Sequence, residues 1–327
     1  MQDVFLFNNG RLQRKDSTII YVNEEGKKKA LPIEQLENIH VFSELDFNTS
    51  FMNLLSQKDV NLHIYNYYGY YSGSYVPRNK RVSGYVDIKQ AENVLYENKR
   101  MYIAQQLVYS AAHHMLRNLR RHKEALAWVN EIEEERKKIP KANDIPTLMG
   151  MEGQLRQIYY SAFNKIIKND DFYFQRREKR PPTDRINALI SFGNSIMYTT
   201  VLSEMYKTQL NPTISFLHEP SSRRFSLCLD IAEIFKPLIV DSLIFSLINN
   251  RMIDKSHFDF IEDRVCMLSE EGKKIFLTEY EERLSKTIKH RHLKRKVSYR
   301  FFIRLECYKL IKHFLGDQDY KALKAWW

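Results

Sequence analysis

Cysteine is scarce: Cys228, Cys266 and Cys307 are the only three in 327 residues. They are far apart, odd in number and form no CxxC pair, which excludes a disulfide framework and makes a reducing cytoplasm the natural setting. No long apolar run is present either. The most apolar later stretch, Phe235 to Ile248, is interrupted by Lys236 and Asp241 and is too short and too charged to span a bilayer. The opening MQDVFLFNNGRL carries Asp3 and lacks the basic and apolar blocks of a signal peptide. Internal repeats and low-complexity tracts are missing as well. These absences predict a soluble cytoplasmic protein with no membrane partner.

What is present is a globular composition, 43% hydrophobic and 28% charged, with room for two domains. Fifty-one Lys and Arg against 40 Asp and Glu leave a net charge of +11. Such a surplus favours a polyanionic partner through counterion release from phosphates. On charge alone, a merely soluble basic protein fits equally well.

Two periodicities divide the chain. Residues 3 to about 76 read as short strands rich in branched and aromatic residues, with turns at Asn8-Asn9-Gly10 and Glu24-Glu25-Gly26. One helix interrupts them at Thr49 to Gln57, and a last hairpin turns at Gly69. The polar, basic PRNKRVSG, Pro77 to Gly84, reads as a hinge. Beyond it the period is helical: Ala91 to Lys137, Thr147 to Lys168, Ile186 to Leu210, Arg223 to Asn250, Glu270 to Leu284, Ser298 to Leu315, and Asp319 to the end. The expected fold class is α+β, with a small β-sandwich-like domain over 1–85 and a larger all-helical domain over 86–327.

The strongest chemical signal is FLHEPSSRRFSLCLDIAEIFKPLIVD from Phe216 to Asp241. Asp230 and Glu233 are three apart, so a helix puts both carboxylates on one face, among apolar neighbours where bare charge is costly. His218 lies in the preceding loop, which is long enough to fold back onto the first helical turns. Ordinary surface acids and a capping histidine would give the same spacing. A second signal is Glu152, flanked by Gly150 and Gly153 inside a convincing helix. Each glycine costs about 1 kcal/mol relative to alanine there. Close backbone approach, to another helix or to a ligand, is a common reason to accept that cost.

Four motifs in order carry a resemblance: GxEGxxxxxYY at Gly150 to Tyr160, PxxDxxNxLxSFxxSxxY at Pro181 to Tyr198, the Phe216 to Asp241 segment, and a terminal SYRxxIRxECYKLxKHxLG…YxxxxxW. With GxYxPR-like Gly73 to Arg78, they make the chain resemble the CRISPR-associated adaptation endonuclease-integrase family, the first-numbered Cas proteins, over nearly its whole length. The resemblance implies a homodimer and one divalent ion, Mg²⁺ or Mn²⁺, held by Glu152, His218 and Glu233. Asp230 is a nearby catalytic carboxylate and a competitor for the third position, because many relatives carry Asp where this chain has Glu233. It implies double-stranded DNA partners, protospacer fragments and the CRISPR repeat, and a small "Cas-two" subunit bridging two dimers. The implied reaction is phosphoryl transfer: a protospacer 3′-hydroxyl attacks a repeat phosphodiester, or water attacks to give nicking. No protein nucleophile is required, so Ser221, Ser226 and Cys228 are not read as nucleophiles. A stand-alone nuclease of branched DNA or RNA and a non-catalytic DNA-binding scaffold are the alternatives.

Phosphate contacts are expected from three basic blocks: 117–123, 175–180 and 286–300, the last with seven Lys or Arg and no acid. Tyr67, Tyr68, Tyr70, Tyr71 and Tyr75 could stack on bases, but hairpin packing or a dimer surface is the favoured reading.

Overall fold

The computed structural model describes residues 2–78, 81–179, 181–220, 225–262 and 264–327. The chain divides into two compact units, Met1–Lys80 and Arg81–Trp327.

In the first unit, alternating apolar residues lay down β1 (Gln2–Leu6), β2 (Gly10–Lys15), β3 (Thr18–Asn23), β4 (Lys28–Leu31), β5 (Leu36–Val41), β6 (Leu45–Phe47), β7 (Asn61–Tyr65) and β8 (Tyr71–Tyr75). Helix α1 (Thr49–Lys58) starts where the Asn48 side chain accepts from Phe51 N at 3.0 Å. Two four-stranded sheets result, β1-β5-β7-β8 and β4-β3-β2-β6. One apolar cluster draws Leu12 and Ile19 from one sheet, Ile39 and Leu62 from the other, and Phe51 and Leu55 from α1. The expected β-sandwich-like character is therefore present. Only β6, three residues long, had no sequence signal. Of the hairpin tyrosines, Tyr67 and Tyr68 are exposed at the turn, whereas Tyr75 bonds Ser56 and Tyr71 bonds Ser74.

The second unit is mainly helical: α2 (Gly84–Leu95), α3 (Glu97–Leu119), α4 (Leu126–Lys138), α5 (Ile145–Ser161), the short α6 (Phe163–Ile166), α7 (Arg185–Met205), α8 (Ser226–Phe235), α9 (Ser242–Asn249), α10 (Glu270–Ser285) and α11 (Tyr299–Phe314). Ser83 caps α2, so the helical region begins inside the segment read as a hinge; residues 79 and 80 of that segment lie outside the described residues. Two antiparallel hairpins interrupt the helices, β9 (Phe258–Ile261) with β10 (Val265–Leu268) and β11 (Thr287–Lys289) with β12 (Lys296–Ser298). The expected helix from Asp319 to the end is not formed. That segment is held by side chains reaching its backbone instead: Tyr102 donates to Tyr320 O at 2.9 Å, and Ser110 and Arg117 bond Leu323 O and Trp327 O. Tertiary partners override helix propensity here.

Helix α7 is the axis of the unit. It is apolar on nearly every face and buried accordingly. Gly193 permits its closest approach, because a Cβ there would lie 2.5 Å from Val240 Cγ1 and 2.8 Å from Phe276 Cζ. The expected single helix from Arg223 to Asn250 is broken between α8 and α9 by a π-helical turn, Lys236–Asp241, and its first two positions, 223 and 224, lie outside the described residues. Pro237 explains the break: it lacks an N–H, and its ring crowds the carbonyl of Glu233 one turn back. The Pro237 carbonyl accepts from Asn118 Nδ2 at 2.7 Å. Among the described residues no helix is long and apolar enough to cross a membrane.

Candidate active site

The site is assembled around Asp230 on α8. Its Oδ2 accepts from Phe216 N at 2.7 Å and Leu217 N at 3.0 Å, while Oδ1 accepts from His218 N at 2.9 Å and meets His218 Nδ1 at 2.7 Å. This fully buried carboxylate thereby folds the loop back, as the loop length predicted, and fixes the imidazole. Because a carboxylate can only accept, Nδ1 carries the shared proton and Nε2 is the ring nitrogen left with its lone pair. Burial opposes a charge on His218, but the hydrogen bond and negative charge of Asp230 outweigh it and raise its pKa. Gln90 on α2 brackets the loop at Asn211 O and Ile214 O, and Arg100 on α3 donates to Phe216 O at 2.8 Å and Glu219 Oε1 at 2.7 Å.

Glu233 lies one turn beyond Asp230 and meets two cations. Arg156 Nη2 bonds Oε2, and Lys236 Nζ bonds Oε1 at 2.5 Å. Burial works against ionisation, yet Arg156 and Lys236 together hold the carboxyl far below the usual carboxylate range. The same guanidinium donates from Nε to Glu152 Oε1 at 2.8 Å. Glu152 and Glu233, 81 residues apart in sequence, are thus drawn to one side chain. Glu233 and His218 lie close enough for each to shift the other's titration. Asp241, in the π turn, completes the surround; burial raises its carboxyl to about 6, and its Oδ2 has no hydrogen-bond partner among the described residues. Tyr160 is pushed up to about 12, first by burial.

Sequence reasoning missed Arg156, Lys236 and Asp241. The first two had a signal: Glu152–Arg156 is an i,i+4 pair and Glu233–Lys236 an i,i+3 pair. The expected crowding at Gly150 and Gly153 is absent, since a Cβ at either would meet no described atom within 4 Å. The two glycines face open space.

The donor set suits a hard divalent cation, with two carboxylates and one imidazole whose tautomer is fixed by its outer partner. Among the described residues, however, no three His, Cys, Asp or Glu are arranged to hold a metal ion. Arg156 and Lys236 occupy the carboxylate oxygens instead.

The family described as "CRISPR associated protein Cas1" matches residues 4–282. The chain belongs to the Cas1 family. A CRISPR-associated endonuclease Cas1 from Clostridium perfringens (strain SM101 / Type A) is 56% identical, with 100% of this chain and 99% of the relative aligned. A second, from Thermodesulfovibrio yellowstonii, is 53% identical over the whole of both chains. The structure of a Cas1 protein from Thermotoga maritima superposes with a TM-score of 0.90 at 41% identity, covering 99% of this chain and 100% of that one. A casposase bound to integration product shares the fold, with a TM-score of 0.85 at 18% identity, over 99% of this chain and 94% of that one. Membership places the chain among CRISPR-associated proteins.

The remaining Cas1-like motifs hold the frame. Asn187 accepts from Arg177 at 2.8 Å and from Glu178 N at 2.9 Å, pinning the loop before α7. Buried Glu204 pairs with Arg304 and Lys207, and buried Glu306 with Tyr320 and Lys309. Ser226 is buried and bonded to Thr213 O and Ser215, and burial raises the Cys228 thiol well above its ordinary range. Neither is placed as a nucleophile. Ser221 lies outside the described residues, as does Arg180 of the 175–180 block. In the block 117–123, Arg117 is committed to Trp327 O and Arg120 to Glu133. The 286–300 block differs: Arg291 to Arg295 lie exposed at the tip of the β11–β12 hairpin, followed by exposed Lys296 at the start of β12.

Proposed function

We propose that this Cas1-family chain is a metal-dependent DNA endonuclease-integrase that inserts foreign DNA fragments as new spacers into a CRISPR array. The observation that carries the reading is the convergence of Glu152 and Glu233 on one guanidinium beside a His218 already oriented by Asp230. Glu152, Glu233 and His218 Nε2 are the groups that would hold Mg²⁺ or Mn²⁺. The bound ion would supply Lewis-acid stabilisation of charge developing on the scissile phosphate. In the reaction the protospacer 3′-oxygen replaces the repeat's 3′-oxygen on phosphorus, and the attacking hydroxyl's proton ends on the departing one. No side chain becomes covalently attached. Asp230 holds the His218 tautomer, and Lys236 supplies fixed positive charge next to Glu233.

The assembly we infer is a homodimer in the cytoplasm, with a Cas2 subunit bridging two dimers. In a structure titled "Cas6-RT-Cas1--Cas2 complex", one chain carries the same fold over 36% of its own length, with a TM-score of 0.85 at 19% identity over 98% of this chain. The experiment is strand joining of a protospacer 3′ end to repeat DNA, with and without EDTA. Joining that needs Mg²⁺ or Mn²⁺ is expected. Metal-dependent cleavage of branched DNA without joining would leave a repair nuclease, and binding without chemistry would leave a scaffold.

The basic hairpin tip gives a separate expectation. Neutralising Lys294, Arg295 and Lys296 lowers DNA affinity at low salt and flattens the log–log salt slope by about 0.9 for each duplex phosphate that is no longer neutralised. Thermal stability changes little, because these side chains are exposed. An unchanged slope assigns the tip to solvent or to a protein partner.

A further inference from the structure

Three positive groups compete for the same carboxylates once a divalent ion is admitted. Arg156 already bridges Glu152 and Glu233, and Lys236 already holds the other Glu233 oxygen. A metal ion on those oxygens would sit against a guanidinium that is only 12% exposed and has little water to screen it. The arrangement as it stands offers no three-donor cluster among the described residues, so the carboxylates and Arg156 must separate before an ion is held. The place to which Arg156 can withdraw is visible. Asp241 is 1% exposed, its Oδ2 lacks a hydrogen-bond partner among the described residues, and its carboxyl, which also feels a hydrogen bond from Tyr159, lies within range of the Arg156 charge. A buried carboxylate oxygen left unpaired is costly and is satisfied by an arriving guanidinium.

We propose that Arg156 is an internal stand-in cation, which holds the Glu152–Glu233 pair together in the metal-free protein and is displaced by the divalent ion toward Asp241. Metal uptake is then a cation exchange within the site. The stand-in keeps two acids from repelling each other while the protein is empty, and it weakens metal affinity in return. The inference rests on the metal reading of Glu152, His218 and Glu233 given above.

The test is direct Mn²⁺ binding to the full chain, read by electron paramagnetic resonance of the free ion and by the metal-induced shift in melting temperature. Arg156→Gln removes the competitor. It should melt lower than the unsubstituted protein when metal-free, and it should bind Mn²⁺ tighter by about tenfold, within the range usual for linked sites. Its gain in melting temperature on adding Mn²⁺ should be correspondingly larger. Arg156→Lys keeps a buried charge without the fork that spans both acids, and should bind with intermediate affinity; it carries the test if the glutamine variant does not fold. Asp241→Asn should weaken Mn²⁺ binding in the unsubstituted background and have no effect in Arg156→Gln, since only a displaced arginine needs the landing site. Mn²⁺ binding that is no tighter in Arg156→Gln or Arg156→Lys overturns the exchange. Should the unsubstituted protein bind no Mn²⁺ in a manner lost on Glu152→Gln and Glu233→Gln, the metal reading itself falls, and the exchange with it.

Discussion

On the proposed function, His218→Ala should eliminate strand joining and nicking while DNA affinity stays within about twofold, because affinity would come from distributed basic contacts and not from the imidazole. Nε2 is the one nitrogen of the ring not committed to Asp230, so truncation removes a donor from the site and leaves the basic hairpin untouched. The loss should exceed the about 10–100-fold that follows from disturbing only the outer partner of a metal ligand. Glu152→Ala should behave alike, and the double variant should be little worse than either single, since groups serving one site fail as a unit. Activity and binding must be read on the same preparation, because the loop carrying His218 is also structural: Ser215 Oγ lies 2.7 Å from His218 O and 2.8 Å from Ser226 Oγ. A folded His218→Ala protein that still joins a protospacer end to repeat DNA removes this mechanism.

The parts of this site that were legible in the sequence are those fixed by local spacing. Asp230 and Glu233 had to share a helix face, and a loop of that length could return His218 to it. The four ordered motifs tied Glu152 to them, which no local rule could do across the 66 residues from Glu152 to His218. Gly150 and Gly153 do not mark a close helix–helix approach: among the described residues nothing outside their own helix lies within 4 Å of where a Cβ would stand at either. Countercharge was the larger omission. Arg156 and Lys236 each stand one turn from an acid that the sequence singles out, and a buried acid needs its countercharge named. The π turn at Lys236–Asp241 was hidden because Pro237 follows a strong helical period and the hydrophobic pattern continues through it. Likewise, the terminal YxxxxxW segment has helical spacing but takes its backbone partners from Tyr102, Ser110 and Arg117. Sequence periodicity does not encode partners so far away.

Asp230 and Glu233 should separate in kind as well as degree. Glu233→Gln should lose more activity, because its oxygens would lie on the metal, and it should abolish the metal-induced gain in melting temperature. Asp230 acts through the loop and through His218. With Asp230→Ala, the N–H groups of Phe216, Leu217 and His218 lose their acceptor. Each buried donor left unpaired costs about 1–3 kcal/mol, enough to unfold the loop or the protein. Asp230→Asn is the informative substitution. Its single carbonyl oxygen can serve the Phe216 and Leu217 pair, but the amide then points N–H donors at His218. The imidazole must answer by accepting at Nδ1, which moves its proton to Nε2 and removes the lone pair there. The expected result is a metal-free protein with a lowered melting temperature, weak metal response, activity down by about 10–100-fold, and the opposite His218 tautomer. Nitrogen-15 NMR of the labelled ring reads that tautomer directly. Asp230→Asn with an unchanged tautomer and unchanged metal-free stability, but activity lost, would place Asp230 on the reacting groups themselves. Full activity with the tautomer reversed would show that Nε2 is not used, and His218 would cease to be a ligand.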